Sequence, residues 1–468
     1  MTAGALRFPA PAMRINGPRV SRTAILLFFW VLPFHSLIIA LLFGYFGVAA
    51  GTARTIAAWK EASVVVFVLW IALRTISGRG RSTPVLAPDV AVGALLALAA
   101  LYLVVADPVF HAGIPAGAQL YGFRDGFFFM LLYYVGRSMP ELAGSETMMK
   151  HAFFVGLVIS VVGIIERIFV SPDMLVLLGV ASYVSEFLGL DAYTSNNVWN
   201  LPANYWTDMG SVLVRRSGSV FLHSQGFALP FLFLIPAASA WALNQRRSHP
   251  ALVRLGYALI WAGLLTSITR VTTVVCIIQV ILFYLMVRRP EWALGTFLTA
   301  FAAVTVTVLV VPGLMNFVWE TLSWQTDSGT SHAKAWGEGL LAFLEQPWGH
   351  GLGTTDAAPL RFRRVPLTGD NMYLSYGVQL GIAGLLALIA VLGSILIISW
   401  RSFWTTPSEM QRRFFAVVAL TTFGIFMNGI TSVVFSSHLL AYLFFLAAGA
   451  MVTVAHRNRS NPAVDLAL

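Results

Sequence analysis

Trp319-Glu320-Thr321-Leu322-Ser323-Trp324-Gln325-Thr326-Asp327-Ser328-Gly329-Thr330-Ser331-His332-Ala333-Lys334-Ala335-Trp336 opens a polar, aromatic and basic stretch that runs to Gly384. After an apolar run it continues through Gln346-Pro347-Trp348-Gly349-His350-Gly351-Leu352-Gly353-Thr354 and the basic cluster Arg361, Arg363 and Arg364. Gly369-Asp370-Asn371-Met372-Tyr373-Leu374 then leads straight into another apolar segment. Around this stretch the chain is mostly hydrocarbon: 58% of its 468 residues are hydrophobic and only 11% are charged. So much apolar surface has no place in an ordinary soluble domain, and the composition specifies an all-α polytopic membrane protein.

Apolar runs fall at 23–48, 55–76, 87–106, 120–135, 150–169 and 219–243, and again at 251–266, 271–287, 292–311, 372–400, 414–434 and 439–454. At one span per ~20 apolar residues they predict about twelve transmembrane helices in a single integral membrane domain, 1–468. The first run is too long for the apolar core of a signal peptide and reads as a spanning helix. Arg79, Arg81, Arg137, Lys150, Arg246, Arg247, Arg254, Arg288, Arg289, Arg401, Arg412, Arg413, Arg457 and Arg459 all fall on the side of the N-terminal tail. Short cytoplasmic loops collect Lys and Arg, so both termini are expected in the cytoplasm and two long loops, 170–216 and 312–371, outside it. The same rule accounts for the formal charge of +10 without any nucleic-acid partner. The single cysteine, Cys276, lies in an apolar run, which excludes an intrachain disulfide and a cysteine metal site.

Long loops seldom lack a purpose. The first carries Asn196, Asn197, Trp199, Asn200, Asn204, Tyr205, Trp206 and Asp208. Amides and aromatic rings of this kind suit sugars, whose hydroxyls need hydrogen-bond partners and whose ring faces pack on aromatics. They equally suit headgroup depth in a bilayer. The loop ends in Arg215-Arg216-Ser217-Gly218-Ser219-Val220-Phe221, and Arg270 sits in a very short outer turn. Arginine on the outer face runs against the charge rule; it serves either as a lipid anchor or as a phosphate ligand. Together with Arg361, Arg363 and Arg364 these cations fit a diphosphate, and with no metal-binding pattern beside them they are expected to neutralise it without a metal or other cofactor. Asp370 and Asn371 stand at a helix entrance. Asp370 is either a cap or a general base for a sugar hydroxyl, with His332, His350 and Glu320 as rival bases. Asp356, in Thr354-Thr355-Asp356-Ala357, reads as a turn. Gly349, Gly351 and Gly353 read as a turn returning the chain to the membrane, since no βαβ unit surrounds them.

Four features in this order resemble the bacterial O-antigen ligase and polysaccharide polymerase superfamily, of Wzy/WaaL type. They are Arg215 to Phe221, Thr269-Arg270, Trp336 with Pro347 to Gly353, and Asp370 to Leu374 followed by Gly377 and Gly381-Ile382-Ala383-Gly384. The resemblance implies a GT-C-like inner-membrane glycosyltransferase acting on undecaprenyl-diphosphate-linked oligosaccharide at the periplasmic face, with 170–216 and 312–371 as periplasmic loops. In the ligase group a His stands at the position of Asp370 and is regarded as catalytic, and an Arg stands about four residues before the position of Trp336. Here His332 and Lys334 are the nearest cations to Trp336. The expected set is therefore Asp370, Asn371 and Arg270 as catalytic residues, with Arg215, Arg216, Arg361, Arg363, Arg364, Lys334 and His332 on the diphosphate. The absent His leans the expectation towards an exopolysaccharide or O-antigen polymerase, with a ligase acting on lipid A core as the alternative. Membrane lipid is an expected partner, and a chain-length regulator or a flippase an open one. A transporter of lipid-linked sugar is the rival from another class, kept in view by Lys60, Glu61, Arg124 and Glu166 near membrane depth.

Overall fold

The computed structural model describes residues 17–77, 84–110, 113–190, 199–209, 212–245, 250–310, 315, 319, 323 and 327–460. Arg79, Arg81, Asn196, Asn197, Arg246, Arg247 and Glu320 lie outside them. The first half consists of α1 (Gly17–Val31), α2 (His35–Ala40), α3 (Ala50–Ala57), α4 (Trp59–Ile76), α5 (Ala87–Phe110), α6 (Ala116–Gly126), α7 (Leu131–Arg137) and α8 (Thr147–Phe169). Next come α9 (Pro172–Leu177), α10 (Val180–Ser182), the antiparallel pair β1 (Trp206–Met209) and β2 (Val212–Arg215), and α11 (Ser224–Ala228). The second half holds α12 (Phe231–Gln245), α13 (Pro250–Thr266), α14 (Arg270–Met286), α15 (Pro290–Val310) and α16 (Asp327–Glu345). α17 (Ala357–Leu360), α18 (Met372–Thr405), α19 (Glu409–Asn428) and α20 (His438–Ser460) complete it.

Among the described residues seven helices are long and apolar enough to cross a membrane: Arg22–Tyr45, Ala50–Ile76, Ala87–Val105, Thr147–Phe169, Ser224–Leu243, Met372–Thr405 and His438–Ser460. Two shorter apolar helices, Pro250–Thr266 and Arg270–Met286, accompany them. The chain is thus an all-α polytopic membrane protein apart from one small hairpin.

α20 is its axis: 94% of its apolar window is buried, against 11% for Ala50–Ile76, which presents its side chains outward. It packs on α7, α12, α18 and α19. Lipid gives helices no hydrophobic drive to associate, so close backbone approach must hold them together. Gly136 and Gly449 supply it: a β-carbon on Gly136 would lie 2.1 Å from the Leu446 carbonyl oxygen, and one on Gly449 2.0 Å from that of Tyr133.

Two of the interrupted spans lie in the first third of the chain. In 23–48 the helix tightens at Leu32–Phe34, where Pro33 lacks a donor, and widens again at Leu41–Tyr45. In 120–135 the chain breaks at Phe127, whose φ of −138° is not helical, leaving α6 and α7 as separate short helices. At the end of the bundle where both breaks lie, a second small core forms from Ile39, Ala40, Leu175, Val180, Tyr183, Leu190, Leu201, Tyr205 and Leu222.

Candidate active site

The entrance of α18 is organised by Asn371. Its side-chain oxygen accepts from the Leu374 N–H at 3.0 Å, and its amide donates to the Ile430 carbonyl at 3.0 Å. The helix N-terminus is therefore capped by Asn371, and the capping role weighed for Asp370 falls to its neighbour. Asp370 has a φ of 58°, and its carboxylate lies 3.5 Å from His332 Nδ1 on α16 with 55% of the side chain exposed. Partial desolvation pushes its pKa up and His332 pulls it back down.

Arg215 and Arg216 are adjacent in sequence yet serve different partners. Arg215, closing β2, donates to the carbonyls of Val170, Glu166 (2.6 Å) and Arg167 (3.2 Å), so it caps the C-terminus of α8. Arg216 donates to the Ser267 carbonyl at 2.8 Å and the Thr269 hydroxyl at 2.9 Å. That places it beside Arg270, the first residue of α14; burial, helped by the Arg270 charge, draws the Arg216 pKa down to about 10. Glu166 locks the segment by accepting from the Ser217 hydroxyl and the Ser219 N–H, both at 2.5 Å.

The turn after α19 joins the two groups. Thr272 of α14 donates to Asn428 at 3.1 Å, while the carbonyls of Gly429 and Ile430 accept from Met372 N–H (2.8 Å) and Asn371. Arg216, Arg270, Asn371, Asp370 and His332 are thereby gathered at one end of the bundle around residues 428–430. Two neighbouring guanidiniums repel each other, and an anion between them relieves that repulsion.

The glycine motif does more than turn the chain. α18 is broken at Gly381 (φ 68°, ψ −165°), and the segment 347–351 completes its broken ladder. His350 and Gly351 N–H groups donate to the Val378 (2.7 Å) and Gln379 (3.0 Å) carbonyls, and Ile382 N–H to that of Pro347 at 2.8 Å.

The basic residues of the second loop do not converge. Arg361 lies over the Tyr121 ring of α6 at 4.7 Å, while Arg363 and Arg364 are exposed. Lys334 is 78% exposed and reaches only Glu338, at 3.9 Å. In the first loop Trp199 stacks on Trp206 at 5.9 Å, whereas Tyr205 is wholly buried in the small core and presents no face to a sugar.

The structure also draws in Asp356. It does sit in a turn, but its carboxylate accepts from Thr355 and Ser375 hydroxyls, each at 3.0 Å, and its N–H donates to the Thr368 carbonyl at 3.1 Å. Desolvation, with a lesser push from Asp370, raises its pKa to about 7 against the pull of the two hydroxyls. The only trace in the sequence is that Ser375 stands one helical turn beyond Asn371.

Residues 255–389 match the Wzy_C family model, described as O-antigen ligase. The matched segment runs from α13 into the broken half of α18 and includes Arg270, His332, Asp356, Asp370 and Asn371. Over these residues the chain is similar to the O-antigen ligase and Wzy superfamily. No curated protein matches the chain.

Proposed function

We propose that the chain is a polysaccharide polymerase, for exopolysaccharide or O-antigen, acting at the periplasmic face of the inner membrane with both termini in the cytoplasm. The observation that carries this is the gathering of Arg216 and Arg270 with the Asp370–His332 pair around residues 428–430. Arg216 and Arg270 hold the diphosphate of an undecaprenyl-linked glycan, and Arg215 fixes their segment by capping α8. Asp370 takes the proton from a hydroxyl of the incoming lipid-linked repeat. That oxygen forms the new bond to the anomeric carbon as the carbon–diphosphate bond breaks, and the electron pair leaves on undecaprenyl diphosphate, opposite the arginines. Attack from the side away from the leaving group inverts the anomeric centre.

Partial burial raises the Asp370 pKa above that of a free carboxylate, the direction that makes it a stronger base. Purified protein given undecaprenyl-diphosphate-linked repeats is expected to build a ladder of products. Asp370→Asn is expected to slow it by about 10²–10⁴-fold, the range for a positioned base. Retention of the wild-type rate by that variant removes Asp370 from the mechanism. A ligase is the second reading, favoured by the description of the matched family. Lipid A core and lipid-linked repeat offered side by side separate the two by which acceptor becomes glycosylated.

A further inference from the structure

A second group of charged side chains lies at the same end of the bundle and takes no part in the chemistry above. It collects where α1 and α6 are interrupted, at the first turn of α4 and at the start of α20: His35, Lys60, Glu61, Arg124, Asp125 and His438. Lys60 Nζ is 2.5 Å from Glu61 Oε1, and Arg124 Nε is 3.6 Å from the same oxygen and 2.7 Å from Asp125 Oδ1. Arg361 joins them from the second long loop, so that Tyr121 lies between two guanidiniums, Arg124 at 4.4 Å and Arg361 at 4.7 Å. Helices broken at membrane depth are tolerated where they are buried in protein or line a cavity, and in membrane proteins such breaks carry binding sites.

Two polar atoms of this group are buried without a hydrogen-bond partner among the described residues, Glu61 Oε2 and Arg361 Nε. One is an acceptor and the other a donor. Leaving either unmet is costly, so a ligand that completes the group must offer both kinds of partner. A diphosphate offers acceptors only and would meet the carboxylates of Glu61 and Asp125. Vicinal hydroxyls of a sugar donate and accept at once. Three cations already face two carboxylates here, which leaves little net charge to attract a polyanion.

The group is also continuous with the candidate active site. α17 is flanked by Asp356, bonded to Thr368 and Ser375 on either side of Asp370, and by Arg361, which directly follows it.

We propose that Glu61, Arg124, Asp125 and Arg361 form a saccharide subsite that binds hydroxyls of the lipid-linked substrate and selects its sugar. The subsite rests on the glycan-transfer reading and adds the part of the substrate it recognises. The test uses the full chain in nanodiscs, undecaprenyl-diphosphate-linked oligosaccharide from the host membranes as substrate and sugar-free undecaprenyl diphosphate as inhibitor. Glu61→Gln and Arg361→Gln are each expected to raise KM for the oligosaccharide about tenfold or more, as for a lost hydrogen bond to a charged group. Inhibition by sugar-free undecaprenyl diphosphate is expected to stay unchanged in both and to weaken in Arg216→Gln. Arg361 lies in a loop, so its variant keeps the test open should Glu61→Gln fail to fold. Unchanged KM in a folded variant, or an equal loss of undecaprenyl diphosphate inhibition, overturns the subsite. Should the wild type form no glycosidic bond, the transfer reading fails separately. Tryptophan fluorescence titrations with the same two lipids then decide the subsite, by whether Arg361→Gln abolishes the preference for the sugar-bearing one.

Discussion

Two groups of charge, one buried and one half-buried, lie at opposite ends of α20, and they are finished to different degrees. At the far end Arg137 Nε is 2.8 Å from Asp89 Oδ1, and its remaining nitrogens donate to Thr453 (2.7 Å), the Pro84 carbonyl (2.8 Å) and Asp89 Oδ2 (3.0 Å). Tyr133 and the Leu86 N–H complete the Asp89 carboxylate at 2.6 and 2.7 Å. Around His438, about 22 Å away along the helix, the Glu61–Arg124–Arg361 group keeps an unmet acceptor and an unmet donor. A closed network of this kind fastens helices together, and an open one is matched to something that arrives.

The largest effect that probes this contrast is on stability. Arg137→Ala strands the buried Asp89 carboxylate and is expected to lower stability by about 3–5 kcal/mol. A thermal melt in detergent measures it, and the KM of surviving folded protein should not move. A small change in melting temperature would place Asp89–Arg137 in the same class as the open group.

Gly381→Ala comes next. Its backbone lies where only glycine is comfortable, and a β-carbon would sit 2.4 Å from the Pro347 carbonyl oxygen. The strained conformation alone costs about 1–3 kcal/mol in a residue with a side chain. Melting temperature and turnover are expected to fall together, since the segment 347–351 holds the second loop against α18; turnover unaffected by the substitution would uncouple the break from the site.

A smaller, pH-dependent effect attaches to Asp356. Its carboxyl is raised to about 7 in the folded chain, so the folded state binds a proton that the unfolded chain has lost between about pH 4 and 7. The stabilisation is complete below that window and is lost as pH rises through about 7. Asp356→Asn, which stays neutral, is expected to gain on the wild type in melting temperature between pH 5 and pH 8. A difference that stays constant with pH would show Asp356 ionised throughout.

The smallest effect belongs to the exposed Lys334–Glu338 pair. Lys334→Ala is expected to change stability by no more than about 0.5 kcal/mol and to leave turnover unchanged. A large loss of turnover would return Lys334 to the diphosphate site.

The membrane class and most helix positions were legible in the sequence, because each rests on local composition. The partners of individual side chains were not. Arg215 and Arg216 read as one diphosphate-binding pair, but Arg215 closes β2 and Arg216 follows it, and the two side chains bond to different elements. One accordingly caps α8 and the other reaches Arg270. Arg361 read as part of a basic run with Arg363 and Arg364, and Tyr121, 240 residues earlier, draws it to the other charged group.

Hydrophobicity, which adds up residue by residue along the chain, was enough by itself to determine a helical membrane bundle; the outer-face charges and the family resemblance added Asp370, Asn371, Arg270, Arg215, Arg216, Arg361, Arg363, Arg364, Lys334 and His332 as candidate site residues. Only the tertiary structure decided which of them meet, that Asn371 is the cap beside Asp370, that Asp356 is bound to Ser375, and that Glu61 and Arg361 are each one partner short. Hydrogen bonds and ion pairs act over a few ångströms between groups far apart in sequence, and spacing along the chain carries no record of them.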